Sequence, residues 1–365
     1  MKALLLIFFL GIFTMVSGQR GFFINDTAAV FTMKKNSLLY VDGDFQHLKS
    51  DPGFQAINGE IRITKDFIVN REEVNFERPE TNYQGARLTF VGNTDSRIIQ
   101  LNSSAISDTV KIKLNQLIVD KSTGDLYIYN NVSVRDSIFF IKGNIILDSI
   151  ARVFFDLSLG TNSVKNNPFI VGENAQKQFK GKGFLYSKYL VSDSMTENQF
   201  NTGLYLNTEQ SKLVEFYRGH IKQLYAGNGS IDRFFDISIT DTITHDVVRP
   251  DSVSIRYLPD VDYLSMGVDP ARLGVYISKQ FQDNDFIRIK NIYTNHYDSV
   301  AITDTSVFSH PIVNLQTMKF RITLADTLCS EYPQSNLPDS VVHLCSTDSL
   351  NVIVFQTNSS LLSQN

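Results

Sequence analysis

The 365-residue chain contains no tryptophan, only two cysteines and only nine prolines. Two cysteines cannot supply a disulfide framework, so the domains must be stabilised by hydrophobic packing. Glutamate is also scarce, with 10 residues against 28 aspartates. Because glutamate favours helices whereas aspartate favours turns and caps, this imbalance disfavours a helical protein. Together with 27 phenylalanines and 15 tyrosines, it predicts a β-rich chain.

Positive charge is not concentrated anywhere along the chain. The sequence has 34 basic and 38 acidic residues, a formal net charge of −4. Nucleic-acid binding and electrostatic docking on anionic lipid both need a basic run or stripe, and none is visible. The composition therefore disfavours both classes of partner.

A long apolar run occurs only at the N-terminus. Lys2 is followed by the apolar stretch 3–13 and by the small residues Val16, Ser17 and Gly18. This pattern predicts a secretory signal peptide over 1–18, with cleavage before Gln19. The alternative is an uncleaved membrane anchor, although the run is short for a spanning helix. We expect an exported chain with no transmembrane segment after cleavage.

One short sequence motif, which we call a phrase, occurs twice near the start of the predicted mature chain. "YVDGDFQHL" (40–48) and "RITKDFIVN" (62–70) both run into Asp-Phe, and Asp44 and Asp66 are 22 residues apart. Recurrence of short strands at 20 to 30 residues is typical of stacked β-coils. We interpret Asp as a bend residue that tolerates left-handed conformations and bonds its own backbone. The alternative is an antiparallel sandwich with coincidental similarity.

The alignment makes specific predictions about which residues stack. It pairs Leu39 with Ile61, Val41 with Ile63 and Phe45 with Phe67. A third phrase, "DLYIYNNVSV" (125–134), is placed in the same frame. It contributes Leu126, Ile128, Asn131 and Val132.

The second half of the chain has alternating strands at a spacing typical of sandwiches, such as "SIDRFFDISI" (230–239) and "GVYISKQ" (274–280). The predicted fold class is all-β. A short right-handed parallel β-helix-like region (19–165) is followed by an Ig-like β-sandwich (166–326) and the start of a further Ig-like module (327–365). That last stretch is too short to close a sandwich of roughly 100 residues.

Several strings in this order resemble those of a known group of proteins. "NNVSV", "GNIIL", "GKGFLY", "GSIDRFFDI" and "LGVYIS" are similar to strings in large modular surface proteins of the Bacteroidetes that use type IX secretion, including gliding-motility-associated and adhesin-like proteins. The resemblance implies a cell-surface or extracellular protein with a structural, display or adhesion role. Residues 186–188 depart from the pattern at one turn, and no C-terminal sorting domain is visible. A periplasmic or outer-membrane-associated component is the alternative.

The resemblance also gives meaning to a tripeptide of Asp, Ser or Thr, and an aliphatic residue or Met. It occurs eleven times, where composition alone would give roughly two. It resembles the O-glycosylation signal of exported proteins in these bacteria. The alternative is turn chemistry, in which Asp-Ser or Asp-Thr forms an Asx turn and the aliphatic residue begins the next strand. The candidate sites are Thr27, Thr109, Ser137, Ser149, Ser194, Thr242, Ser252, Ser299, Thr327, Ser340 and Ser349.

Residues that could carry chemistry are few and dispersed. The six histidines are isolated from one another, so no zinc motif is formed. We expect Cys329 and Cys345 to form a disulfide in an exported protein, the alternative being two buried thiols. The loops "PDVDY" (259–263) and "QDNDF" (282–286) offer oxygen ligands for calcium, but neither has an EF-hand pattern.

The strongest enzyme hypothesis is a β-helical polysaccharide lyase or hydrolase. It would use paired carboxylates on stacked coils. Its candidate residues are Asp42, Asp44 and Asp66 with Arg62 and Lys65. A turn role also explains these aspartates, so we predict no catalytic activity, no cofactor and no metal. Extracellular polysaccharide or surface proteins are the expected partners, and the protein is expected to be a monomer or part of a longer chain.

Overall fold

The computed structural model divides the chain into two compact units, Met1–Ser187 and Lys188–Asn365. Most of the described residues are in β-strands, and none of them is in an α-helix. The structure describes residues 21–24, 31–32, 36–47, 54–55, 59–69, 74–75, 87–101, 112–155, 170–174, 176–191, 197–208, 212–223, 226, 230–248, 250, 252–256, 273–279, 286–289, 291–295, 300–303, 319–326, 341–343 and 354–356.

Among the described residues, seventeen strands begin in the first unit. They are β1 (Gly21–Ile24), β2 (Phe31–Thr32), β3 (Ser37–Val41), β4 (Asp44–His47), β5 (Phe54–Gln55), β6 (Gly59–Ile63), β7 (Phe67–Val69), β8 (Val74–Asn75), β9 (Arg87–Gly92), β10 (Ser96–Gln100), β11 (Ile112–Lys121), β12 (Leu126–Ile128), β13 (Val132–Lys142), β14 (Ile145–Leu147), β15 (Arg152–Phe155), β16 (Ile170–Val171) and β17 (Phe179–Leu190).

These strands form three rows, and every pairing within a row is parallel. The first row is β3, β6, β9, the second half of β11, the second half of β13, and β16. The second row is β1, β4, β7, β10, β12, β14 and the start of β17. The third row is β2, β5, β8, the first halves of β11 and β13, β15, and a later part of β17. The chain therefore winds as a β-helix-like coil, which continues past residue 165 to Ser187.

The interior of this coil is a set of in-register apolar stacks. In the second row, Phe45, Phe67 and Ile98 lie on successive strands and are fully buried. The rings of Phe45 and Phe67 stack at 5.4 Å between centroids. Each such side chain contributes about 1.5–3 kcal/mol when buried. Stacking on the neighbouring coil thus buries residues that one coil alone would leave exposed.

The structure confirms the register predicted from the first two phrases. Leu39 pairs with Ile61, Val41 with Ile63, and Phe45 with Phe67. The placement of the third phrase was wrong. Leu126 and Ile128 lie in the second row, opposite Ser96 and Ile98, and not in the first row with Leu39. All three rows carry the same apolar alternation, so the pattern does not distinguish one row from another.

The described strands of the second unit form two antiparallel arrays and one further pair. One has the order β20, β21, β27, β23, β24, and the other β18, β19, β22, β26, β25. A separate hairpin is formed by β28 and β29. The bounds are β18 (Glu197–Asn198), β19 (Leu204–Asn207), β20 (Lys212–His220), β21 (Ser230–Asp241), β22 (Ser252–Arg256), β23 (Leu273–Lys279), β24 (Phe286–Ile289), β25 (Asn291–Asn295), β26 (Val300–Thr303), β27 (Phe320–Asp326), β28 (Val341–His343) and β29 (Val354–Gln356).

A buried aromatic cluster lies within this unit. Phe200, in the short 3-10 helix Gln199–Asn201 between β18 and β19, stacks on Phe216 of β20 at 6.2 Å. Tyr189 meets the ring of Phe200 edge-on at 5.5 Å. Phe200 thereby ties the segment between β18 and β19 to a strand of the other sheet.

Candidate functional site

The bend between the first and second rows is built from aspartates and one asparagine, each of which bonds the neighbouring coil. Each side-chain oxygen accepts a backbone N–H of the following coil. We call this series the corner ladder. Its members and acceptor distances are Asp44 to Asp66 N (3.2 Å), Asp66 to Arg97 N (2.9 Å), Asp95 to Asp125 N (2.9 Å), Asp125 to Asn144 N (3.0 Å) and Asn144 to Gln178 N (3.1 Å).

The role predicted for these aspartates was therefore partly wrong. They do lie at equivalent bends, but in the ladder they bond the next coil instead of their own backbone. The left-handed conformations are taken by neighbouring glycines, such as Gly43 (φ 144°) and Gly124 (φ 79°). A carboxylate bridging two coils fixes their register as well as satisfying the turn.

Hydrogen bonds between coils also involve the carboxylates that the enzyme hypothesis names as candidates. Asp44 accepts the Asp66 amide, and Asp66 is buried and holds Arg97 through Nε (2.9 Å) and Nη2 (2.6 Å). This pair raises the pKa of Arg97. Asp42 accepts the Thr64 hydroxyl at 3.3 Å. All three candidate carboxylates thus accept a hydrogen bond from the next coil.

The two basic candidates also lie at or near this bend. Arg62 is paired with Glu60 at 2.7 Å on the outside of the first row, and this hydrogen bond raises the pKa of Arg62. Lys65 is exposed at the bend, and its backbone N–H donates to the Gly43 carbonyl at 3.2 Å. Both basic side chains therefore lie on the outer surface of the coil.

Lys121 is an important residue that sequence reasoning missed. Its side chain is only 1% exposed, and its Nζ donates to Ser96 Oγ (2.7 Å), Val91 O (2.9 Å) and Thr64 O (3.2 Å). Burial lowers its pKa. The sequence does contain a signal for this position. The two-residue spacing of Leu117, Val119 and Lys121 places all three on the inward side of one strand. The ammonium group connects three coils from inside.

The outer surface of the second row carries a pair of stacked tyrosines. The rings of Tyr127 and Tyr129 are nearly parallel, at 19°, with centroids 6.4 Å apart. Ile146 is paired beside Tyr127, and the backbone of Tyr129 donates to Ile98 O at 3.2 Å. We call this surface the tyrosine face. It comprises Ile68, Arg97, Ile99, Tyr127, Tyr129 and Ile146.

Two carboxylates of the corner ladder border the tyrosine face. Asp95 is exposed and Asp125 is half-buried. Burial, together with the negative charges of Asp95 and Asp125, raises the pKa of Tyr127. The tyrosines therefore lie in a region of negative potential. Arg97, at the edge of the face, does not cancel this potential because it is paired with Asp66.

Two glycosylation candidates lie in exposed Asx turns. Asp148 accepts the Ile150 amide (3.3 Å), and Asp241 accepts the Ile243 and Thr244 amides (2.7 and 3.1 Å). Ser149 and Thr242 are exposed at these turns. The aliphatic residues do not begin a buried strand, since Ile150 is 55% and Ile243 is 81% exposed. Each turn presents a hydroxyl and an aliphatic side chain to solvent.

The remaining candidates fall in other settings. Ser137 is buried within β13, and Ser252 is the first residue of β22. The other candidates lie outside the described residues: Thr27, Thr109, Ser194, Ser299, Thr327, Ser340 and Ser349.

Several further predictions also fall on residues that the structure does not describe. They are the signal peptide, the pair Cys329 and Cys345, and nearly all of both candidate calcium loops. Among the described residues, no group of three or more His, Cys, Asp or Glu side chains is placed to hold a metal ion. Nor does that part of the chain contain a helix long and apolar enough to cross a membrane.

Comparisons with known proteins give no relative. A scan against protein-family models, a search of curated proteins and a search of solved structures each find no match to this chain.

Proposed function

We propose that the protein is an exported, modular surface protein with a display or adhesion role and no catalytic activity. The observation that supports this most is that structural and surface-exposed side chains are separated in the first unit. Carboxylates of the corner ladder bind neighbouring coils, while the tyrosine face is turned outward on a parallel sheet. Rigid scaffolds that present side chains in this way are suited to binding.

The finer architecture belongs to the same proposal. The first unit is a right-handed parallel β-helix, because crossovers between parallel strands are right-handed in nearly all proteins. The two antiparallel sheets of the second unit are an Ig-like sandwich, and 327–365 begins a further module. The resemblance to type IX-secreted, gliding-motility-associated and adhesin-like proteins of the Bacteroidetes supports a location at the cell surface.

O-glycosylation at the exposed tripeptides is a further part of the proposal. Ser149 and Thr242 are the first sites to examine, because their hydroxyls lie at open turns. A bulky hydrophilic sugar there would solubilise the surface and hinder proteolysis. Mass spectrometry of peptides from the native protein should find hexose on these residues. Unmodified peptides at both sites would contradict O-glycosylation there and favour the alternative that the tripeptides only form turns.

Surface labelling of intact source cells tests the proposed location. A membrane-impermeant amine-reactive biotin should label exposed lysines such as Lys65 and Lys180. Labelling only after the outer membrane is opened would contradict surface display and favour the periplasmic alternative. A known periplasmic protein in the same cells is the control for membrane integrity.

A further inference from the structure

We infer that the tyrosine face binds a neutral glycan, with Tyr127 and Tyr129 as the stacking platform and Asp95 and Asp125 as acceptors for sugar hydroxyls. The inference deepens the proposed binding role, on which it rests, by naming the site and the class of ligand. It is carried by three features of the second row.

The first feature is the shape of the platform. Tyr127 lies in β12 and Tyr129 directly follows the last residue of that strand. Their two-residue spacing and near-parallel rings place both side chains on the same side of the sheet. Their near-parallel rings are flanked by Ile146 on the next strand and Ile99 on the previous one. The line Arg97, Tyr127, Ile146, Lys180 crosses four adjacent strands. At about 4.8 Å per strand it is roughly 14 Å long, which suits an extended chain of sugar rings.

The second feature is the supply of acceptors beside the rings. In both Asp95 and Asp125, Oδ1 takes the N–H of the next coil. Oδ2 of each has no hydrogen-bond partner in the described part of the chain. These oxygens are held still because the other half of each carboxylate is fixed. Sugar hydroxyls are donors, and charge-assisted hydrogen bonds to a carboxylate are the stronger kind.

The third feature is the sign of the charge. The two carboxylates that raise the pKa of Tyr127 also repel an anionic polymer. Arg97 does not offset them, because its guanidinium is already held by Asp66. Lys180 is the other cation on this line, and it lies two strands away from Tyr127. Aromatic surface with a few fixed polar groups is the usual composition of a small-molecule site. The occupant that fits both the rings and the acceptors is therefore an uncharged sugar chain.

Affinity electrophoresis of the full chain tests this inference. Native gels would contain galactomannan, hydroxyethyl cellulose or amylopectin as neutral probes, and polygalacturonate as the anionic probe. We expect at least one neutral polymer to retard the protein. The double variant Tyr127→Ala/Tyr129→Ala should weaken that retardation at least tenfold. Asp95→Asn, which keeps an oxygen for the Asp125 amide, should weaken it several-fold.

The matched control is Tyr40→Ala. Tyr40 is 57% exposed on the first row, away from the tyrosine face, and its loss should leave retardation unchanged. Unaltered far-UV circular dichroism would show that each variant is folded. Absence of retardation by every neutral probe, equal retardation by polygalacturonate, or full retardation of the double variant would overturn the inference. A chain labelled on intact cells but not retarded would refute only the glycan site. A chain that is retarded but not labelled would refute only the surface location.

Discussion

Replacing Asp66 by alanine should loosen the coil at one identifiable bend. Asp66 is buried and accepts three hydrogen bonds from Arg97, one of them from the backbone N–H. A hydrogen bond from a backbone amide to a charged acceptor contributes about 1.5–3 kcal/mol. The Arg97 side chain is 53% exposed, so the ion pair adds no more than about 1 kcal/mol. We therefore expect a loss of about 1.5–4 kcal/mol.

Native-state hydrogen exchange can measure this loss where it occurs. Since every 1.4 kcal/mol corresponds to a factor of ten, amides of β7 and β10 should exchange roughly 10- to 700-fold faster in Asp66→Ala. Asp66→Asn retains an oxygen for the Arg97 amide and should lose about half as much free energy.

Asp42→Ala is the internal control for this experiment. Asp42 lies two residues before Asp44 but is exposed, and its only described bond is from the Thr64 hydroxyl at 3.3 Å. Its loss should change local stability by less than about 0.5 kcal/mol. If Asp66→Ala and Asp42→Ala accelerate exchange equally, or if neither does, the bridging role assigned to the corner ladder is refuted.

Three further perturbations test other parts of the structure. Gly124→Ala places a Cβ 2.7 Å from the Thr94 backbone carbon at a φ of 79°; it should cost at least about 1 kcal/mol and lower the melting temperature. Arg321→Met leaves Asp236, held at 2.6 and 2.7 Å, buried without its cation. It should cost about 3–5 kcal/mol in urea unfolding, with partial rescue by Asp236→Leu. Asp241 has its pKa lowered to about 2, mainly by its hydrogen bond from a lysine, against about 3.9 in the unfolded chain. Its contribution is present above pH about 4, so the stability difference from Asp241→Asn should vanish as pH falls towards 2.

The stacking of the first coils was predictable from sequence because the first and second rows share the same 22-residue offset between these two coils. The 22-residue repeat brings Phe45 over Phe67, and two aligned phrases were enough to fix that register. Later coils differ in length, with successive ladder bonds spanning 31, 30, 19 and 34 residues. Without a constant period, an apolar phrase does not show which of three equivalent rows it enters. That is why Leu126 was assigned to the wrong row.

The candidate site was less predictable for a different reason. A buried lysine such as Lys121 looks like a break in the apolar alternation until its acceptors on other coils are known. Likewise, Tyr127 and Tyr129 are two of 15 tyrosines. Only the parallel pairing shows that they share a surface with Ile146 and adjoin Asp95. Contacts between coils are set by coil length and loop insertion, and local pattern does not encode either quantity.

The most direct test of the central claim is the fate of a polysaccharide held by the protein. The full chain would be incubated for a day with each neutral polymer of the gel panel, and the polymer's molar mass measured by light scattering. A binding scaffold predicts that a bound polymer keeps its molar mass. A fall in molar mass that is abolished by Asp44→Asn or Asp66→Asn would contradict the account and establish the carboxylates as catalytic.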